Sequence, residues 1–269
     1  MSVEGATPQA TGLLAHLTLE VAGDGFRWEV PSGFSQGKAT FGGLVLAALV
    51  GATGRCVAPG RKLRSVQAEL MGAPRPGPCA IAVRALRESR HTTTLAAELT
   101  QDGQVTTHAV MLYAEARAEL APIRPAIALD GHDDLIALPI GMPFAPEFTQ
   151  HFEYRVAEGM IYSGTPGGRT RGWVSPRRPP VVGDDRLLML LADAWWVAAL
   201  VALARPRPAA TVQFALDVHG DFTGIDPGGP YFHRGEVVAL TDGWSSETRE
   251  LWGPDGRLLA LNRQLAVVI

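Results

Sequence analysis

Cysteine is almost missing from this chain: Cys56 and Cys79 are the only two in 269 residues, and neither belongs to a Cys-x-x-Cys pair or a Cys/His cluster. A structural zinc site is therefore not expected, no metal or cofactor is called for, and the two thiols read as isolated. An excess of either charge is missing too, with 24 Lys plus Arg against 27 Asp plus Glu and no long run of one sign. Nothing here predicts a nucleic-acid or anionic-membrane partner. The first residues, Met-Ser-Val-Glu-Gly-Ala-Thr-Pro, lack a basic stretch followed by an apolar one, so no secretory signal is visible and a cytoplasmic location is expected. The longest apolar run, residues 187–204, covers 18 positions, short of the ~20 that a bilayer span needs, and it contains Asp193. A membrane segment is disfavoured on both counts.

What is present is unusual within that same run. From Leu187 onward every residue but Asp193 is apolar or alanine, so a helix over 184–204 has no polar face and must be surrounded by protein. A carboxylate in the middle of such a helix, among Leu190, Leu191, Trp195 and Trp196, costs several kcal/mol of desolvation unless donors meet it. Two readings follow: Asp193 only bonds a nearby backbone group, or it is a reacting group in a site.

The rest of the chain supplies the setting. Residues 13–21 and 25–30 alternate as short strands, and a glycine-rich loop, 32–43, leads into a second wholly apolar helix. Strand patterns follow at 63–70, 79–88, 92–101 and 105–115, the last two joined by Asp102-Gly103, a strong hairpin signal. Five prolines and little periodicity mark 117–147 as a linker. Beyond it the order recurs: strands at 148–157 and 169–175, the 184–204 helix, then strands near 211–219, 231–240, 245–252 and 258–268. Ser65-Val66-Gln67-Ala68-Glu69-Leu70 echoes Thr211-Val212-Gln213-Phe214-Ala215-Leu216, and Asp102-Gly103-Gln104-Val105 echoes Asp255-Gly256-Arg257-Leu258, at offsets of 146 and 153 residues. A repeat the size of a half-chain indicates a duplicated domain. The expected fold is α+β, a double hotdog: two tandem units, 1–118 and 148–269, each an antiparallel sheet wrapped around one apolar helix, joined by a proline-rich linker at 119–147. Side by side, the units can pair their sheets and remove an exposed edge.

Several stretches together resemble the acyl-CoA thioesterase II type of double-hotdog protein: Phe41-Gly42-Gly43 entering the first helix, Asp193 in the second, Ala210-Thr211-Val212 opening a strand, and Asp255 to Gln264 at the end. The likeness covers nearly the whole chain outside the linker. It implies hydrolysis of an acyl-CoA or other acyl thioester to a free acid and thiol by Asp-activated water, with Asp193, Thr211 and Gln264 at the family's catalytic Asp, Thr and Gln. It places Gly42 and Gly43 beside the substrate. Trp195, Trp196 and Phe214 are the aromatic residues read as lining an acyl pocket, and Arg177-Arg178 or Arg61-Lys62 are the cations considered for coenzyme phosphates. The repeat sets Ser65 opposite Thr211 and Met111 opposite Gln264, with no acid in the first helix, so one site per chain is expected; a homo-oligomer is left open. Departures from the family's pattern stand at Leu44, Gln213 and Asp217.

Three rival readings exist. Gly33-Phe34-Ser35-Gln36-Gly37 fits G-x-S-x-G, but in an α/β-hydrolase that elbow follows several βα units, and only about 30 residues precede it here. A hotdog hydratase or dehydratase is the nearer enzyme alternative, although the Asp-x4-His spacing associated with that branch does not occur. The third is a non-catalytic acyl-CoA or acyl-carrier binding module on the same fold.

Overall fold

Alternation of apolar and polar residues builds most of this molecule as strands, and two runs without alternation become its helices. The computed structural model describes residues 11–117, 123, 127–129, 131–143 and 145–269. In chain order the elements are β1 (Leu19–Ala22), β2 (Gly25–Val30), β3 (Ser35–Gln36), β4 (Ala39–Thr40), α1 (Gly42–Gly54), β5 (Lys62–Leu70), β6 (Gly77–Glu88), β7 (Thr92–Gln101) and β8 (Gln104–Ala114). After the proline-rich segment come β9 (Phe152–Glu158), β10 (Arg169–Pro176), α2 (Asp185–Asp193), β11 (Ala209–Val218), β12 (Tyr231–Thr241), β13 (Trp244–Trp252) and β14 (Leu258–Val268). Among the described residues no helix is long and apolar enough to cross a membrane.

Twelve strands form one antiparallel sheet in the order β1-β2-β6-β7-β8-β5-β11-β14-β13-β12-β10-β9. Read outward from the centre, each side repeats the other, which is the double hotdog expected from the sequence. The sides meet where β5 pairs with β11 from Ser65↔Asp217 to Glu69↔Gln213, so neither central strand keeps a free edge. Asp102-Gly103 turns the β7–β8 hairpin with φ of 52° and 75°, the left-handed pair that a two-residue hairpin loop requires. The curved sheet encloses both helices. In α1 every side from Gly43 to Val50 is buried, and α2 is buried from Leu187 onward. Asp184 starts α2 by accepting the N–H groups of Arg186 and Leu187.

Four expectations are corrected. The 13–21 strand opens instead with a 3-10 helix, Gly12–Leu17, because Leu13, Leu14 and Leu17 lie at helical spacing and bury together; the 148–157 strand likewise begins with the 3-10 helix Glu147–His151. The single helix over 184–204 is two pieces, α2 and the 3-10 helix Ala198–Ala202, so Asp193 is the last residue of a helix rather than a central one. The break has a polar cause. A continuous helix would pair the carbonyls of Trp195 and Trp196 with N–H groups four residues on. Arg249 takes both carbonyls instead, at 3.2 and 3.3 Å, while the Glu247 carboxylate accepts the N–H groups of Ala198 and Ala199 at 3.0 and 3.1 Å. The fourth correction is one of register. β11 carries a bulge between Thr211 and Gln213, and β5 carries one between Leu63 and Ser65, so Thr211 corresponds to Leu63 and not to Ser65. Met111 faces Val66 as Gln264 faces Phe214, which keeps Met111 at the Gln264 position.

Part of the proline-rich segment is packed. Ala137 bridges to Arg155 and Leu138 donates its N–H to the carbonyl of Tyr154, laying the chain along β9. Residues 1–10, 118–122, 124–126, 130 and 144, which include part of the linker, lie outside the described residues.

Candidate functional site

The end of α2 meets the start of α1 so closely that a side chain on either of the first two glycines of α1 would press on it. A Cβ on Gly42 would lie 3.0 Å from Oδ2 of Asp193, and one on Gly43 would lie 2.5 Å from Phe41 Cζ and 3.0 Å from Asp193 Cβ. The missing side chains bring the first turn of α1, which no side chain caps, against the carboxylate. The backbone N–H of Gly43 favours the charged form of Asp193. From the sheet, Gln264 Nε2 donates to Asp193 Oδ1 at 3.0 Å, and Thr211 Oγ1 donates to Gln264 Oε1 at 2.8 Å. Asp193, Gln264 and Thr211 thus form one chain of hydrogen bonds, with Gly42 and Gly43 against it. Thr211 reaches Asp193 through Gln264.

Asp193 is 8% exposed and Gln264 2%. Burial pushes the Asp193 carboxyl up to about 6, while Arg249, Gln264 and the Gly43 N–H oppose that rise. The Arg249 guanidinium stands 4.0 Å from Asp193 Oδ1 and is held closer, at 3.0 Å, by Glu247. Glu247 is fully buried and also accepts from Ser245 Oγ at 3.1 Å. The pair shapes the 194–199 turn and places a positive charge behind the carboxylate. Among its described residues the first half has no matching acid on its helix: α1 contains none, and Met111 occupies the position of Gln264.

Next to Asp193 along the chain, Ala194, Trp195 and Trp196 form one wall of an apolar cavity of about 250 Å³. Phe148, Phe152 and Tyr154 form another wall, and residues of the 138–146 segment close a third. Phe148 stacks on Phe41 at 4.1 Å, so the cavity abuts the entry of α1 as well. Tyr154 donates its hydroxyl to the carbonyl of Ala194 at 2.9 Å. Phe214 does not line this cavity; it is 1% exposed and packs in the core. Of the cations considered for phosphates, Lys62 pairs with Asp221 at 2.7 Å, and Arg61 donates to the carbonyls of Ser89 and Arg90. Arg177 does line the cavity.

Ser35 donates to Glu147 at 2.9 Å in a short hairpin, and the nearby His151 spends Nε2 on the carbonyl of Gly33, so neither is arranged as a nucleophile and its base. No group of three His, Cys, Asp or Glu side chains suited to a metal occurs among the described residues. Sequence reading missed Glu247, Arg249 and Asn262. A signal for the first two exists: Leu251 fixes the inward phase of β13, and stepping back by twos puts Arg249, Glu247 and Ser245 on the inner face.

Comparison with known proteins bears on the family and the fold. A family model described as the acyl-CoA thioesterase C-terminal domain matches residues 125–268, and one described as the N-terminal domain matches residues 30–114. Among curated proteins no sequence matches at a significant level. Among solved structures, a conserved protein of unknown function with the hot dog fold from Alicyclobacillus acidocaldarius superposes with a TM-score of 0.85 at 21% identity, over 94% of this chain and 96% of that one. An acyl-CoA thioesterase II from Mycobacterium marinum gives 0.76 at 17% identity, over 94% and 96%. A tesB protein from Mycobacterium avium subspecies paratuberculosis gives 0.75 at 20% identity, over 95% and 98%. At such identities the superpositions speak for the fold, and the family rests on the two sequence models: the chain belongs to the acyl-CoA thioesterase family and is a thioester hydrolase.

Proposed function

We propose that the chain hydrolyses acyl-CoA with water activated by Asp193, and that Thr211 and Gln264 hold that water and the carboxylate in place. The observation that carries the reading is the hydrogen-bond chain from Thr211 through Gln264 to a buried carboxyl whose pKa lies at about 6. Such a group is mostly ionised at pH 7 yet close enough to neutrality to take a proton efficiently. Gln264 accepts the Thr211 proton, so Thr211 Oγ1 is left as an acceptor. A water donating one hydrogen to Thr211 and the other to Asp193 keeps a lone pair for attack.

In the reaction the water oxygen bonds to the thioester carbonyl carbon as Asp193 takes its proton. The carbonyl oxygen becomes an oxyanion, which the N–H of Gly42 at the uncapped start of α1 is suited to meet. The C–S bond then breaks, the proton passes from Asp193 to the departing thiolate, and a free acid and CoA result. The acyl group occupies the cavity beside Trp195 and Trp196, and Arg177 and Arg207, which both line it, are cations for a negatively charged part of the substrate. At about 250 Å³ the cavity is at or below the small end of small-molecule sites, so short and medium acyl chains are the expected substrates.

Thiol release over a series of acyl-CoAs tests this reading. Turnover is expected, with kcat/KM falling for long chains. Tight binding of acyl-CoA with no thiol released would contradict it and favour a binding module.

A further inference from the structure

Gln264 can orient Thr211 and Asp193 only if its amide faces one way, and one further side chain fixes that together with Asp193. Asn262 lies two residues before Gln264 on β14 and is 5% exposed. Its Nδ2 donates to the backbone carbonyl of Ala215 at 2.9 Å, and its Oδ1 accepts from Gln264 Nε2 at 2.9 Å. We infer that Asn262 is a positioning residue, which fixes the polarity of the Gln264 amide and through it the direction of the Thr211 hydroxyl.

The argument is one of donors and acceptors. A backbone carbonyl can only accept, so the Asn262 nitrogen must face Ala215 and its oxygen must face Gln264. Gln264 Nε2 then has two acceptors, Asn262 Oδ1 and Asp193 Oδ1, one for each of its hydrogens. A reversed Gln264 would set its oxygen against two other oxygens. With the nitrogen held, Gln264 Oε1 is turned to Thr211 and takes the hydroxyl proton. The direction runs from the Ala215 carbonyl to the Thr211 hydroxyl, and it leaves Thr211 an acceptor on the side where water must donate. Without Asn262, one hydrogen of Gln264 loses its buried partner and the amide is held only by Asp193 and by a hydroxyl that can serve as donor or acceptor. The charged and titratable groups around Asp193 itself are Arg249 and Glu247 on β13 and Tyr154 on β9.

This inference rests on Asp193 acting as the base, and its test separates the two. Asn262→Leu keeps the size and removes both polar arms; Asn262→Ser makes the same prediction with a smaller side chain, should the first fold poorly. Either is expected to lower kcat for acyl-CoA by about 3- to 10-fold, the worth of one hydrogen bond between neutral groups, with KM little changed. The acid limb of the kcat profile should move to higher pH, because a loosened Gln264 donates less to Asp193. In a Gln264→Met background the same Asn262 substitutions should have no further effect on kcat, since their route runs through the amide. Equal losses in both backgrounds, or wild-type kcat with an unmoved acid limb, would overturn the inference while leaving Asp193 as base. Full turnover by Asp193→Asn would overturn both.

Discussion

Asp193→Asn is expected to lower thioester turnover by about 10²- to 10⁴-fold, the usual worth of a general base, without costing stability at pH 7. The amide keeps the shape of the side chain, and its oxygen can still accept from Gln264, but it cannot take a proton from water. The stability half follows from the direction of the pKa shift. Burial holds the carboxyl at about 6 in the folded chain, above its ordinary 3.8, so folding favours the neutral form. That favourable contribution is fully present below pH 3.8 and is lost as pH rises through about 6. At pH 7 the wild type therefore carries the cost of a buried carboxylate, and the asparagine variant does not. Melting temperatures at pH 7 should be equal or higher for the variant, and its advantage should shrink as the pH is lowered towards 4. Wild-type hydrolysis by a well-folded variant would reduce Asp193 to a structural residue.

Arg249→Met is expected to destabilise the protein by about 3 to 5 kcal/mol, the cost of removing one partner from a buried ion pair. Glu247 is fully buried and would be left with only neutral donors, Ser245 Oγ and the N–H groups of Ala198 and Ala199, around it. The carbonyls of Trp195 and Trp196 would lose the guanidinium that turns the chain out of α2. Replacing both charges, as Glu247→Leu with Arg249→Met, should recover part of the loss, because an uncompensated carboxylate is worse than an apolar pair. Denaturant midpoints for the two variants and the wild type check the order. A single variant within about 1 kcal/mol of wild type would mean that the pair does not hold the turn, since surface-like substitutions stay in that range.

The fold was readable because strand alternation, the Asp-Gly hairpin and the half-chain echo all point to the same arrangement. Asp193 could be found because a lone acid in an apolar run is conspicuous, and Thr211 and Gln264 because the family resemblance is ordered in position. The failures have physical causes. Apolar periodicity over 184–204 cannot reveal that Glu247 and Arg249, some fifty residues on, compete for the backbone and break the helix. Both central strands carry the same bulge, so the two-position error at Thr211 comes from matching residue types, Ser65 with Thr211 and Gln67 with Gln213, where the sheet register sets Leu63 and Ser65. The prolines at 139, 143 and 146 suggested a bare linker, yet irregular backbone can pack: this stretch walls the cavity beside Trp195 and Trp196. Asn262 was hidden because it sits in a strand where Leu261 is exposed and Asn262 is buried, the reverse of what hydrophobicity alone implies.

The most direct test of Asp193 as the base, held by Gln264, is kcat for acyl-CoA against pH in the wild type, Gln264→Met and Asp193→Asn. The wild type should lose activity on the acid side with a midpoint near 6, where Asp193 protonates. Removing the Gln264 donor should move that midpoint upward, since burial then acts with less opposition. Asp193→Asn should show only its small residual rate, with the limb gone. An acid limb that persists unchanged in Asp193→Asn, or that stays in place in Gln264→Met, would contradict the account.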